Sequence, residues 1–144
     1  MKAAFPSETR LPSKKHDLSK AELEDEFMAL TFTLVDTWDD GHRIHVTGTI
    51  AAAGNYSTGG DPLDLSQFPV VASTQPPIQG TSWIQGLTGY DYTFVPGTTM
   101  NSNKMKVFQQ GSGAGAFPEL AAGAYPSAIT GDTISFHGIF PKLQ

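Results

Sequence analysis

The stretch from Gly89 to Gln110 leaves this chain little choice of local structure. Tyr90, Tyr92 and Phe94 alternate with Asp91 and Thr93, the period of a strand with one buried face. Pro96-Gly97 stops that strand, because proline removes a ladder donor and glycine takes backbone angles other residues avoid. The chain then resumes with Lys104 and Lys106 on one face and Met105 and Val107 on the other. A long hairpin is predicted, its tip running from Pro96 to Asn103. Antiparallel pairing of this kind favours an all-β fold over one built on parallel strands and crossover helices.

The rest of the chain repeats the theme. Leu30, Phe32 and Leu34 alternate with Thr31 and Thr33, and Asp40-Gly41 is a two-residue hairpin signal. The return strand carries Ile44, Val46 and Ile50, with Arg43, His45 and Thr47 facing the other way. A loop with one helical turn is expected from Asp61 to Gln67, and a short strand from Phe68 to Val71. Trp83, Ile84 and Leu87 lead into the central hairpin, Gly111 to Ala116 reads as a flexible segment, and Phe117 to Tyr125 as loop or turn. A further short strand is expected over Pro126 to Thr130 and a turn at Gly131-Asp132. In the last strand, Thr133 to Phe140, Ile134, Phe136 and Phe140 share a face. With 15 glycines and 10 prolines in 144 residues, the composition suits short strands joined by turns. About seven or eight strands at hairpin spacing predict an antiparallel β-sandwich of jelly-roll type or a small barrel. Of the two, the sandwich is the expected fold. Its expected core is Phe32, Ile44, Val46, Tyr92, Phe94, Val107, Ile134 and Phe136.

Two regions are expected: an N-terminal arm over residues 1–27 and a β-sandwich domain over 28–144. Residues 1 to about 18 carry Pro6 and Pro12 and no hydrophobic period, so alone they would be disordered or extended. Ser19-Lys20-Ala21-Glu22 fits a capping box and starts a short helix to about Phe27. At two turns that helix is too short to stand alone in water and needs a surface to dock on. The arm's apolar anchors, Phe5, Leu11, Leu23 and Phe27, are therefore its candidate partner-binding residues.

Several chemistries are disfavoured. The net charge of −5 argues against nucleic acid as a main partner. The cluster Lys14, Lys15 and His16 is too small to outweigh it. With no cysteine, neither a disulfide framework nor a thiolate zinc site can form. No apolar run approaches a membrane span or follows the initial Met1-Lys2-Ala3-Ala4-Phe5-Pro6, so neither a membrane partner nor a secretory leader is expected, and the setting is a reducing cytoplasm or a particle assembled there. His42 and His45, at i and i+3 of a strand, would point to opposite faces and could not chelate one metal together. Asp39, Asp40, Asp61 and Asp64 are hard-cation ligands by type, but no loop spacing matches a calcium site. Asp61 reads as a turn starter, Asp64 as a solvated or capping side chain. Gly111-x-Gly113-x-x-Ala116 follows a strand but lacks the helix that a dinucleotide fingerprint opens, since Pro118 follows. No nucleophile–base arrangement stands out. The residues read as those of a protein that is not an enzyme, with no catalytic residue, metal or cofactor.

Three stretches resemble small structural proteins of tailed bacteriophages encoded with the head genes. They are Tyr56 to Asp64, the hairpin Gly89 to Phe108, and the run from Glu119 to Tyr125-Pro126 and on through Gly131 to Phe140. Together they cover roughly half the chain, as turn and core patterns. The resemblance implies a virion component, foremost a capsid decoration (cement) protein. Such a protein sits on the outer surface of the shell, binds the major capsid protein and ties capsomers together, often as a trimer. Assembly would take place in the host cytoplasm. Two alternatives remain: a tail or head–tail junction component, and a carbohydrate-binding or host-attachment β-sandwich module, since small β-sandwiches with exposed Trp and Tyr commonly bind sugars.

Overall fold

The computed structural model describes residues 29–66, 75–111, 113 and 115–142. The expected arm with its helix, its four anchors, and the strand expected over 68–71 lie outside these residues. The described residues form an antiparallel all-β fold of nine strands in three sheets. β1 (Leu30–Asp39) and β2 (Arg43–Ala52) make the first hairpin. Asp39 and Asp40 both fold back on its turn, Asp39 accepting the amide of Gly41 and Asp40 those of His42 and Arg43. Gly41 takes φ 95°, a region that strongly favours glycine. The Asp40 amide donates to the Arg43 carbonyl and closes a two-residue loop, whose central residues are Gly41 and His42, one position on from the expected Asp40-Gly41.

β9 (Ile134–Pro141) pairs along the whole of β2, from Arg43↔Pro141 to Ile50↔Ile134. β5 (Trp83–Gln85) closes the other side of β9, giving a four-stranded sheet of order β1-β2-β9-β5. A three-stranded sheet of order β4-β7-β6 comprises β4 (Asp61–Leu63), β6 (Asp91–Val95) and β7 (Asn103–Phe108). The expected central hairpin is β6–β7, with Val95 opposite Lys104, so that its tip runs from Pro96 to Asn103 as predicted, while Asn103 also pairs with Leu63 of β4. β3 (Asn55–Tyr56) and β8 (Gly123–Ala124) form a short third pair.

One core joins these sheets. Val46, Ile50, Met105, Val107, Ile134, Phe136 and Phe140 are almost completely buried. Phe136 links the sheets: its ring meets Phe32 edge-on at 5.3 Å and Phe94 of the smaller sheet at 5.8 Å. Six of the eight expected core residues are buried, while Phe32 and Phe94 pack against the core only half-buried. Gly48 lies opposite both Leu34 and Phe136 on the inward face. A Cβ there would overlap the Phe32 ring and the Thr33 carbonyl oxygen.

Two local expectations are corrected. Asp61–Leu63 is strand β4, not a helical turn. Pro62 is tolerated because β4 is an edge strand of its sheet, where a missing amide donor leaves no ladder bond unmade. Ser127–Thr130 is a single helical turn, α1, not a strand. The Pro126 carbonyl accepts the amides of Ile129 and Thr130, and Ile129 is driven into the core.

Phe136→Ala is expected to cost about 3–5 kcal/mol in urea denaturation, since it empties the space between two sheets. Gly48→Ala should cost about 1–3 kcal/mol by overpacking, although it removes nothing. Native stability in the Gly48 variant would show that the Phe32 ring can move aside.

Candidate functional site

Three buried or partly buried carboxylates define the inner polar chemistry, and each holds a tyrosine. Asp61, 1% exposed, accepts the Tyr125 hydroxyl at 2.6 Å and the Ser57 amide at 2.9 Å. Its place inside the fold corrects the reading of a simple turn starter. Glu119 accepts the Tyr56 hydroxyl at 2.7 Å and the Gly59 amide, with Lys106 Nζ 3.7 Å from its other oxygen. Asp132 accepts the Leu87 amide, the Thr88 hydroxyl and the Tyr92 hydroxyl at 2.7–2.9 Å. Asp64, by contrast, does cap: it holds the Ser66 amide and hydroxyl. A buried amide works the same way at the β6–β7 tip, where Asn103 accepts the Gly97 amide and donates to the Met100 carbonyl.

These contacts shift acidities in ways that follow from their surroundings. Burial, then the hydrogen bond to Glu119, pushes the Tyr56 phenol up to about 12. Burial raises Tyr92 and Tyr125 as well, helped by their aspartate partners. The Tyr56 hydroxyl, then the Gly59 amide, hold Glu119 below the ordinary glutamate value. Burial pushes Asp132 up, but the donors from Leu87, Thr88 and Tyr92 together outweigh it and leave the carboxyl lowered. In each pair the phenol is the donor and the carboxylate the acceptor.

The outer face of the four-stranded sheet carries a different arrangement. Trp38 on β1, His45 on β2, His137 on β9 and Trp83 on β5 form a row across all four strands. Trp38 stacks on His45 with ring centroids 4.9 Å apart and planes 9° from parallel. His137 lies 6.0 Å from His45, 6.1 Å from Trp38 and 5.9 Å from Trp83. The two indoles remain 45% and 49% exposed. Asp40 approaches His45 Nε2 at 3.3 Å. The amides of His42 and Arg43, then His45 itself, depress the Asp40 carboxyl to about 2. Burial, then the neighbouring His45, lowers His137 below the ordinary histidine value.

A β-bulge makes the row possible. Pairing shifts between Leu34 and Asp36, leaving Val35 without a partner on β2. Before the bulge the even residues Leu30, Phe32 and Leu34 face inward; after it Trp38 stands opposite His45 on the outer face. The inserted residue inverts the alternation of the strand. Strict alternation would have sent Trp38 inward with Leu34.

His42 and His45 are separated by the start of β2, with His42 at the exposed turn and His45 in the ring row. Among the described residues no group of three or more His, Asp or Glu is placed to hold a metal ion. A depression of about 260 Å³ between Ile78, Ser82, Phe94 and Pro96 brings no titratable group together. Among the described residues, no helix is long and apolar enough to cross a membrane. No protein-family model matches the chain, and no curated protein or solved structure matches it either.

Tyr125→Phe is expected to cost about 1.5–3 kcal/mol in chemical denaturation, because the buried Asp61 loses its shortest donor. The melting temperature should also fall on acidification below pH 4.5, the ordinary glutamate value. Glu119 and Asp132 have lowered folded pKa values. Their contribution is complete above the ordinary carboxylate range and is lost as pH falls through the folded values. Asp132→Asn should flatten this acid limb.

Proposed function

We propose that this chain is a non-enzymatic structural protein of a tailed-phage virion, decorating the outer surface of the capsid by binding the major capsid protein. The observation that carries this reading is the use to which the inner carboxylates are put. Asp61, Glu119 and Asp132 each tie a loop to a tyrosine of another part of the chain. Loops fixed in this way suit a building block that must keep its shape under load. The resemblance of the Tyr56–Asp64, Gly89–Phe108 and Glu119–Phe140 stretches to phage head proteins points in the same direction. In this reading the four-stranded and three-stranded sheets are the two layers of a jelly-roll-type sandwich.

The arm over residues 1–27 is then the clip. Fully extended, its first 18 residues could reach about 60 Å, farther than the width of such a domain. It can bind one capsid subunit through Phe5, Leu11, Leu23 and Phe27 while the β domain rests on another. Burial against the shell offsets the ordering entropy, on the order of 1–2 kcal/mol per backbone residue. Repetition on a shell lattice favours a symmetric oligomer, a trimer at local threefold positions.

Deletion of residues 1–27 tests the assignment. The truncated domain is expected to keep near-native stability and to lose most of its binding to purified capsids. Unchanged capsid binding would reduce the arm to a tail. Copy number per particle decides the location: hundreds place the protein on the shell, whereas a handful would move it to the tail or the head–tail junction.

A further inference from the structure

We infer that the outer face of the four-stranded sheet is a binding platform for an uncharged glycan, seated against Trp38 and Trp83. This goes beyond a role in holding the shell together. The first argument is the indoles themselves. They come from the two edge strands, β1 and β5, and the inner strands bring them into one row. Trp38 lays one ring face on His45 and is still 45% exposed; Trp83 tilts against His137 and is 49% exposed. Exposed indoles held in place by neighbouring rings are pre-organised for a ligand, since little freedom remains to be lost. The slightly positive C–H face of a pyranose matches the negative face of such a ring.

The second argument is the setting of the row. Around the rings the same face carries Thr33, Thr47, Thr49, Ser135 and Gln85, with Ala51, Ile139 and Pro141 as scattered apolar positions and Asp36 and Arg43 at its rim. A protein partner calls for a contiguous apolar centre, whereas sugar hydroxyls exchange hydrogen bonds with these side chains.

The third argument is charge. Asp39 is paired with Lys142, and Asp40 is engaged by His45 and two turn amides. With Asp36 and Arg43, the acids and bases around the row nearly cancel. Burial disfavours charge on His137. Asp36 and Arg43 leave one acid and one base beside the row, so neither sign of charge dominates it, and a neutral saccharide is the complementary occupant.

The experiment uses the full-length protein on an array of uncharged glycans, with dextran sulfate and purified capsids as comparison ligands. The best uncharged glycan is then titrated by calorimetry. Binding is expected, with Trp38→Ala and Trp83→Ala each weakening it about tenfold or more. Trp83→Phe should recover part of the loss, and Leu87→Ala, elsewhere on the surface, should change nothing. Circular dichroism and melting curves check that each variant is folded. The inference is overturned by the absence of any uncharged hit, by binding that both tryptophan variants leave intact, or by binding to dextran sulfate alone. Capsid binding that depends on Trp38 and Trp83, without a glycan hit, would assign the face to a protein and overturn it too. Loss of glycan binding with capsid attachment retained separates this site from the proposed shell contact.

Discussion

The pairing of β2 with β9 is the interaction on which the other elements depend. It joins Ile44 to Phe140 and Ile50 to Ile134, residues from opposite ends of the described chain. Closing so long a loop costs entropy before any contact offsets it. The compensation comes from a continuous inward face, Ile44, Val46, Ile50, Ile134, Phe136 and Phe140, all buried. Once this ladder is in place, β1 and β5 add to its two sides, and Phe136 offers a surface to Phe94 of the smaller sheet. Folding should be slow by the standard of small domains, because its decisive contacts are non-local.

The tyrosine–carboxylate bonds do at the loops what the ladder does at the centre. Short strands such as β3 and β8 provide few backbone bonds, so the segments around them need other fastening. Tyr56 ends β3 and Tyr125 follows β8; their ring centroids lie 5.6 Å apart, and each donates to a different acid. A phenol is well suited to such a position. Its ring fills core volume, and its hydroxyl satisfies a carboxylate that would otherwise be costly to bury.

The sequence revealed the strands more readily than their partners. The phases of β2, β6, β7 and β9 follow from period-two alternation, and both principal hairpins follow from turn residues. The pairing of β2 with β9 has no local signature, which is why the meeting of His45 with His137 could not be read from spacing. Asp61 looked like a turn residue because Pro62 follows it; its burial depends on Tyr125, far along the chain. Pro62 itself masked an edge strand. Trp38 was obscured for a different reason: nothing in Leu34-Val35-Asp36 announces an extra residue, and pairing alone reveals it.

That extra residue divides β1 into two stretches answerable to different demands. Up to Leu34 the strand is judged by how it fills the interior; from Asp36 onward, by what it presents to water. Substitutions on either side of Val35 can therefore drift independently, each judged against its own neighbours. A change in length is another matter. Adding one residue beyond the bulge would flip the parity of everything after it, turning an indole toward the interior and Thr37 toward solvent, whereas loss of Val35 itself would leave that parity as it is. Along this strand, the count of residues is under tighter constraint than their identity.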